Sequence, residues 1–295
     1  MSSSDSVAAA AAGAGVEKPG HLEPSELGTK QYWDNLYTSE IANHASNPAD
    51  TGTVWFDDSD AEAKMVAFLD AQEHDLGLDR ADAAVLDLGC GNGSLLFALR
   101  DDGWAGRLLG VDYSEKSVAL ARRVGAARDV ASGDDGDDGG EEEEKEKEKE
   151  VEFKAWDVLN GSLRDVRPTT NTSTTEEEGE DGDKKLRIGW DLVLDKGTFD
   201  AISLSDELDS HGRRICEGYG ARVLALLRPG GVFLVTSCNW TEAELTGWFE
   251  RASSASAGAE EGARLRRAGR IQYRSFSFGG VQGQTISTLC FVKEE

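Results

Sequence analysis

The chain alternates short apolar runs with stretches in which apolar residues recur every three or four positions. Seven runs have the length and content of β-strands, at residues 85–89, 107–113, 151–158, 190–195, 231–237, 271–276 and 285–292. Helical spacing predicts helices over residues 94–100, 117–124, 215–227 and 241–250. Strands that alternate with helices predict an α/β fold with a doubly wound, mostly parallel seven-strand sheet and helices on both faces. We expect the last two strands to add one antiparallel strand at an edge of this sheet.

Four segments interrupt this pattern and are predicted not to join the packed structure. They are small, polar or densely charged, and they span residues 1–24, 131–150, 168–186 and 252–268. The first three bury too little apolar area to offset the roughly 1–2 kcal/mol per residue that ordering the backbone costs. The fourth has an alternative, as an extension of the helix that begins near residue 241. We therefore predict a disordered tail over 1–24 and one domain over 25–295, with disordered, low-complexity acidic inserts at 131–150 and 168–186.

The charge of the chain is strongly negative but unevenly distributed. The formal net charge is −25, and residues 133–150 and 168–186 together supply −12 of it. This sign argues against nucleic acid or an anionic membrane as the main partner, because both attract lysine and arginine patches. No run approaches eighteen apolar residues, so no membrane span is expected.

Cysteine and histidine positions suggest neither a disulfide framework nor a metal site. The four cysteines contain no C-x-x-C pair, and the four histidines match no zinc spacing. We predict no metal and a reducing compartment. The first residues fit neither a secretory signal nor a transit peptide, so the expected location is the cytoplasm, with the nucleus as an alternative.

A glycine-rich turn after the first predicted strand is the strongest signal for chemistry. In Val85-Leu-Asp-Leu-Gly-Cys-Gly-Asn-Gly-Ser94, a strand leads through Gly89, Gly91 and Gly93 into a helix. Glycines at such a turn let the backbone approach a ligand that side chains would block. Asp112 ends the second strand 19 residues after Gly93, where a carboxylate can accept hydrogen bonds from both hydroxyls of a ribose.

Charge at this turn decides between the possible ligands. A dinucleotide fingerprint requires G-x-G-x-x-G, whereas the sixth position here is Ser94. Asp87 precedes the loop and would repel a pyrophosphate, but it would attract the ammonium of S-adenosylmethionine. The pattern therefore favours S-adenosylmethionine as cofactor, with a dinucleotide or a turn without cofactor as alternatives.

With these residues in place, the chain resembles the seven-strand, class I S-adenosylmethionine-dependent methyltransferases, which have a Rossmann-like fold. The resemblance spans about residues 27–295, with the acidic inserts as departures. It implies that Asp87, Gly89, Gly91 and Gly93 hold the methionine part of the cofactor. It also implies that Asp112, with its neighbour Tyr113, holds the ribose. The end of the third strand would then contact the adenine through Trp156, Asp157 and Val158.

Longer stretches narrow the resemblance to one family. Residues 27–37, 195–202, 236–241 and 276–280 are similar to the fungal and animal protein-lysine methyltransferases that modify translation elongation factor 1-alpha. The resemblance implies lysine N-methylation with this elongation factor as protein partner. Two alternatives stay open: methylation of a small molecule by the same fold, and a cofactor-binding interaction module without turnover.

A lysine amine attacks only when neutral, and neutralising it at about pH 7.4 costs about 4 kcal/mol. An apolar aromatic channel lowers that cost by desolvation, and its faces tolerate cations. The candidate catalytic residues are Tyr37, Asp195, Asn239 and Trp240. Phe199 and Phe278-Gly279-Gly280 are further candidates for the wall of the site.

Trp33 and Tyr37 are four residues apart, so on a helix they share a face, which we interpret as a lid over the cofactor. Asp195, at the end of the fourth strand, is predicted to hold the incoming amine or the amino-acid tail of the cofactor. Its neighbour Lys196 is expected to make a structural contact with the backbone. No dedicated general base is predicted.

Overall fold

The computed structural model describes residues 19–132, 150–168, 189–250, 262–278 and 281–295. Its helices are α1 (Lys30–Ser46), α2 (Ala61–Gln72), α3 (Ser94–Asp101), α4 (Glu115–Ser132), α5 (Thr198–Ser203), α6 (Tyr219–Leu226) and α7 (Glu242–Phe249). Its strands are β1 (Val85–Leu88), β2 (Leu108–Asp112), β3 (Glu152–Ala155), β4 (Trp190–Lys196), β5 (Leu227–Ser237), β6 (Arg264–Ile271), β7 (Ser275–Phe278), β8 (Val281–Gln284) and β9 (Ser287–Glu294). Short 3-10 helices cover Glu26–Gly28, Asp57–Ser59, Leu163–Val166 and Ile215–Gly218.

Seven strands form one sheet in the order β3-β2-β1-β4-β5-β9-β6. The pairs among β3, β2, β1, β4 and β5 are all parallel, and every residue of β1 and β2 is buried. Burial on both faces explains why these strands are apolar throughout. The doubly wound, mostly parallel seven-strand sheet is as predicted.

The antiparallel strand lies inside the sheet and not at its edge, so that part of the prediction is wrong. β9 pairs antiparallel with both β5 and β6 and separates them. Leu289, Cys290 and Phe291 in β9 are fully buried. In contrast, β6 alternates buried and exposed positions and carries four arginines. A fully apolar strand gains most from a central place, and a strand with charged outward positions is suited to an edge.

Two layers of helices cover the sheet. The side chains of Val85, Leu192 and Leu194 face a cluster that includes Met65 of α2 and Leu95 of α3. The alternate strand positions face a second cluster, built mainly with α6 and α7 and including Leu86, Leu88, Val193, Tyr219 and Phe249. A capping box between Thr241 and Glu244 starts α7. Among the described residues, no helix has the length and apolar content needed to cross a membrane.

Several segment predictions need correction. Residues 264–268 begin β6 instead of extending a helix, and the strand predicted over 271–276 is divided between β6 and the separate β7–β8 hairpin. α2 was missed. Part of the predicted tail is packed, because Leu22 lies against the second apolar cluster. Of the four segments predicted not to pack, residues 1–18, 133–149, 169–186 and 252–261 lie outside the described residues.

Residues 228–231 form a bulge within β5. Leu227 pairs with Trp190 and Val232 pairs with Leu192, so the intervening residues of β5 bulge out of register. Arg228 in this bulge donates through Nε to the buried carboxylate of Asp191, which also accepts from the backbone N–H of Ala84 at 2.9 Å. The carboxylate therefore fastens the bulge to the start of β4.

We predict that Asp191→Ala lowers the free energy of unfolding by about 2–3 kcal/mol, because it leaves the partly buried N–H of Ala84 and the guanidinium of Arg228 without their acceptor. Chemical denaturation followed by circular dichroism measures this change. Asp129→Ala, at an exposed carboxylate on α4, is the matched control and should change the free energy by less than about 0.5 kcal/mol. Equal stability of the two variants would contradict the proposed role of Asp191.

Candidate active site

A cavity of about 300 Å³ opens where the carboxyl ends of β1, β2 and β4 meet. The parallel register places Leu88 beside Val111 on one side and Asp195 on the other. Open α/β sheets bind ligands at this edge, because loops from neighbouring strands diverge there. The walls also include α1, the segment after β3 and the start of α5. Predicted residues that line the cavity are Trp33, Tyr37, Asp87, Gly89, Gly91, Asp112, Tyr113, Trp156, Asp157 and Val158.

The glycine loop forms the floor of this cavity. The N–H groups of Gly89 and Cys90 donate to the carbonyl oxygen of Val111, at 2.7 and 3.0 Å, which holds the loop against β2. Gly89 has φ +69°, and a Cβ there would lie 2.0 Å from Oγ1 of Thr198. Gly91 has φ +57°, and a Cβ there would lie 3.2 Å from the hydroxyl of Tyr37. Side chains at these positions would therefore fill the space in which a ligand can lie.

Gly93 has a different role, because it does not line the cavity. A Cβ on Gly93 would lie 2.6 Å from the ring of Phe153. This glycine permits close packing at the N-terminus of α3. Direct binding of the cofactor by Gly93 remains a prediction from the family resemblance.

Asp87 presents a desolvated carboxylate to the cavity. The residue is 3% exposed, and none of the described residues donates a hydrogen bond to its side chain. Burial raises the pKa of Asp87 to about 7, and the positive charge of Lys196 opposes that rise. A positively charged ligand group is the missing partner for this carboxylate. The ammonium of S-adenosylmethionine fits this requirement, whereas a pyrophosphate does not.

Asp112 is held in place by its own loop. Its carboxylate accepts hydrogen bonds from the N–H of Ser114 and the hydroxyl of Ser117, both at 2.8 Å. A longer bond of 3.4 Å comes from the N–H of Gly91. Burial raises the pKa of Asp112 to about 6 despite these donors. The fixed carboxylate lines the cavity beside Tyr113, where it can also accept from a ribose diol.

The segment after β3 forms the wall predicted to contact adenine. Trp156 is buried, and its indole Nε1 donates to the carbonyl oxygen of Ser162 at 3.1 Å. The carboxylate of Asp157 accepts from the N–H groups of Leu159 and Asn160, at 2.8 and 3.2 Å. Asp157 therefore fixes the shape of its own loop. Acceptance of an adenine amino group by Asp157 remains a prediction, and Val158 lines the same wall.

Trp33 and Tyr37 lie on one face of α1 and line the cavity together. Their rings are stacked with centroids 6.2 Å apart. The indole of Trp33 donates to the carbonyl oxygen of Leu27 at 2.8 Å. α1 thus supplies an aromatic wall at the position where a lid is predicted.

The loop after α1 also contributes to the cavity, and sequence analysis missed it. Trp55 lines the cavity and lies against Trp33, with ring centroids 5.2 Å apart. Glu40 of α1 holds this loop by accepting from the N–H and the hydroxyl of Thr53, at 2.8 and 2.6 Å. The signal available in the sequence was the pair Trp55-Phe56 in an otherwise polar stretch.

Lys196 makes the backbone contact expected of it. Its Nζ donates to the carbonyl oxygen of Trp55 at 3.1 Å and lies 3.3 Å from a carboxylate oxygen of Glu62. Glu62 also accepts from the hydroxyl of Ser94, at the N-terminus of α3. Lys196 therefore joins the end of β4 to the Trp55 loop.

Asp195 is not brought into the cavity, which corrects the prediction that it touches the amine or the cofactor. The residue is fully buried. Its carboxylate accepts from the N–H groups of Thr198 and Phe199 at 2.8 and 3.0 Å, and from the hydroxyl of Tyr219 at 2.6 Å. Burial raises the pKa of Asp195 to about 7. Asp195 fixes the N-terminus of α5 and acts on the site through Thr198, which lines the cavity.

The other three candidates beyond β4 also lie outside the cavity lining. Phe199 and Trp240 belong to a buried aromatic cluster, with ring centroids 6.0 Å apart, because the turn after β5 directs Trp240 inward. Asn239 is exposed beside Cys238, so it is placed to meet a partner at the surface. Phe278 ends β7, and Gly279 and Gly280 lie outside the described residues.

Comparisons with known proteins place the chain in a family. The family model of the methyltransferase domain matches residues 79–162, which include the glycine loop and Asp112. The chain is 37% identical to protein-lysine N-methyltransferase EFM4 of Saccharomyces cerevisiae, over 92% of this chain and 97% of that protein. It is 31% identical to EEF1A lysine methyltransferase 2 of Homo sapiens, over 97% of this chain and 95% of that protein.

Among solved structures, a TehB-like SAM-dependent methyltransferase from Corynebacterium glutamicum is similar, with a TM-score of 0.47 and 14% identity. The match covers 90% of this chain and 100% of that chain.

The sheet order, the glycine loop and the two cavity carboxylates define an S-adenosylmethionine-dependent methyltransferase, and the matching domain agrees. The predicted enzyme class and cofactor are thereby confirmed. Within this class, the chain belongs to the family of protein-lysine N-methyltransferases that includes EFM4 and EEF1A lysine methyltransferase 2.

We predict that affinity for S-adenosylmethionine falls as the pH decreases below about 7, because protonation of Asp87 removes the partner of the cofactor ammonium. The ionised form of Asp87 binds, so binding near pH 6 should release protons. Calorimetry in buffers of different ionisation enthalpy, from about pH 8 to about pH 5, measures both effects. Asp87→Asn should bind weakly and lose the pH dependence near pH 7, whereas Asp112, with a pKa of about 6, still contributes at lower pH. An unchanged pH profile in Asp87→Asn would contradict the assignment.

We predict that Asp112→Ala weakens cofactor binding by about 10- to 100-fold, which corresponds to the charge-assisted hydrogen bonds lost to a ribose diol. Asp112→Asn should lose less, since the amide oxygen still accepts one hydrogen bond. Ser117→Ala is the control, because it removes a hydrogen bond to Asp112 without removing the carboxylate. Equal affinities in all four proteins would exclude Asp112 from the ribose site.

Proposed function

We propose that this protein transfers a methyl group from S-adenosylmethionine to a lysine side chain of translation elongation factor 1-alpha. The main support is a cavity in which Asp87 and Asp112 lie beneath an aromatic wall at the carboxyl edge of the sheet. The substrate part of the proposal comes from relatives named as EEF1A lysine methyltransferases, which match 91% or more of this chain. The structure of this chain adds the residues that would hold each reactant.

When bound, the cofactor supplies an electrophilic methyl group on a sulfonium. Asp87 pairs with the ammonium of the amino-acid tail, and Asp112 accepts from the ribose hydroxyls. Two fixed carboxylates, on neighbouring strands β1 and β2, constrain the cofactor at two separate points. In-line methyl transfer requires such positioning more than it requires proton-transfer groups.

The acceptor lysine must lose its proton before it attacks. Trp33, Tyr37 and Trp55 exclude water from the wall of the cavity, and desolvation lowers the pKa of an amine that enters there. Their ring faces also stabilise cationic groups. Burial raises the pKa of the Tyr37 hydroxyl well above its usual value, so this group is not a base near neutral pH. The proton is therefore expected to leave to solvent as the amine enters the cavity.

Purified elongation factor 1-alpha incubated with this protein and S-adenosylmethionine should gain methyl groups at a lysine. Intact-mass analysis detects the methyl groups, and peptide mapping identifies the lysine. Replacing that lysine with arginine in the elongation factor should abolish the gain.

Gly91→Val is the matched enzyme control for this assay, because its side chain enters the cofactor space beside Tyr37. Methylation by the wild-type enzyme and none by this variant is the expected result. Transfer to a small molecule but not to the elongation factor would replace the proposed substrate. Cofactor binding without any transfer would favour an interaction module.

A further inference from the structure

A second depression lies beside the cofactor cavity. One side is the loop from Thr53 to Ser59, which presents Val54, Trp55 and Phe56. The other side contains Cys238, after β5, and Thr285 with Ile286, before β9. We call this depression the lateral groove. It separates the loop of residues 53–59, which we call the Trp55 loop, from the turn after β5 and the residues just before β9.

The lateral groove adjoins the cofactor cavity. Thr53 and Trp55 line both of them, so Trp55 forms a shared wall between the two spaces. Asn239, predicted from sequence as a site residue, is exposed next to Cys238. A polypeptide in the groove could therefore place one side chain over the shared wall, toward the cofactor.

The rim of the groove is acidic. Asp57, Asp58 and Asp60 are all exposed, and Asp58 lines the groove itself. Within the described residues, no lysine or arginine forms an ion pair with any of these three carboxylates. The nearby ammonium of Lys64 donates to the carbonyl oxygen of Ser59 instead. The rim thus offers negative charge to a basic partner.

The loop that carries this rim is rigidly anchored. Glu40 holds it at Thr53, and Lys196 holds the carbonyl oxygen of Trp55 at 3.1 Å. Phe56 and Asp60 have φ of +64° and +57°, and they are the only non-glycine residues with positive φ among those described. Both flank the short 3-10 helix Asp57–Ser59. A bulky residue such as Phe56 adopts this conformation only where its surroundings impose it.

We propose that the lateral groove binds the protein substrate, as an extended segment of the elongation factor in which basic residues flank the target lysine. Asp58 pairs with a basic side chain of that segment, and the partly exposed apolar residues Val54 and Phe56 contact its backbone and aliphatic parts. Trp55 then directs the target lysine from the groove into the cofactor cavity. This inference rests on the proposed function and adds the surface that selects the substrate.

Steady-state kinetics with Asp58→Lys tests the groove. The variant should raise KM for the elongation factor by about tenfold, because charge reversal repels the basic segment. Its kcat at saturating substrate and its affinity for S-adenosylmethionine should be unchanged. Thr285→Arg, which adds bulk and positive charge to the opposite wall, should also raise KM. Asp129→Lys makes the same charge change on exposed α4 and should leave KM unaltered. Equal KM values for Asp58→Lys and Asp129→Lys would contradict the proposal.

A second measurement does not depend on turnover. Cys238 is exposed in the groove, whereas Cys90, Cys216 and Cys290 are buried. With S-adenosylhomocysteine present, the elongation factor should slow alkylation of Cys238 by a maleimide, as followed by peptide mass spectrometry. Burial and nearby carboxylates, Asp58 among them, raise the pKa of the Cys238 thiol, so Asp58→Lys by itself should speed the alkylation. Protection is therefore measured for each protein as the ratio of its alkylation rates without and with the elongation factor, and this ratio should fall to about one in Asp58→Lys.

The two measurements separate the two proposals. Methylation of the elongation factor without protection of Cys238 would overturn the groove and leave the proposed function intact. Protection without methylation would overturn the proposed function and support binding in the groove. Thermal unfolding of each variant confirms that the compared proteins are folded.

Discussion

A buried carboxylate without a hydrogen-bond donor among the described residues is the constraint on which this site depends. β1 places Asp87 at the end of a fully buried strand, where water cannot solvate it and where no described neighbour donates to it. Burial of an ionised carboxylate is unfavourable unless a positive group compensates it. The glycine loop keeps side chains away from this carboxylate, so the compensating group can come from a ligand. The same constraint therefore accounts for the choice of a zwitterionic cofactor and for the glycines.

Other carboxylates at the same edge of the sheet accept hydrogen bonds from within the protein and stabilise the fold. Asp195 has its donors on α5 and on Tyr219. Asp200 accepts from the hydroxyl of Ser237 and from the N–H of Cys238, at 2.8 Å for the latter, so it anchors the turn after β5. Burial raises the pKa of Asp87 and of Asp195 to about 7 alike. The pKa therefore does not distinguish a carboxylate that binds a ligand from one that stabilises the fold. The two are distinguished by their hydrogen-bond donors: Asp195 has donors within the protein, whereas none of the described residues donates to Asp87.

The sequence was most informative where one local rule determines both structure and chemistry. The run from Val85 to Ser94 predicted a strand, a turn and a helix, and it also predicted the acidic floor of the cavity. Asp195 and Trp240 were harder, because the sequence identified the ends of strands but not the direction of their side chains. The Asp195 carboxylate is held inside by the hydroxyl of Tyr219, which is distant in sequence. Trp240 is held inward by the bond from its N–H to the hydroxyl of Ser237, and a serine at that position carries no signal of its own.

Two other features could not be predicted because they depend on distant packing. The central place of β9 in the sheet depends on β9 being more apolar than β6. The pattern of one strand, taken alone, does not show which of the two lies inside. The contribution of Trp55 depends on Glu40 and Lys196, which approach its loop from α1 and β4. Neither contact follows from spacing along the chain.

The central position of β9 also affects how the domain is made during translation. β9 is the last strand in chain order, yet it provides hydrogen bonds to both β5 and β6. Until residues 287–294 leave the ribosome, a nascent chain has two unpaired strand edges and an exposed apolar slot between them. Such edges invite pairing with other chains. The half of the sheet beyond β4 is therefore completed only when its last strand, β9, becomes available.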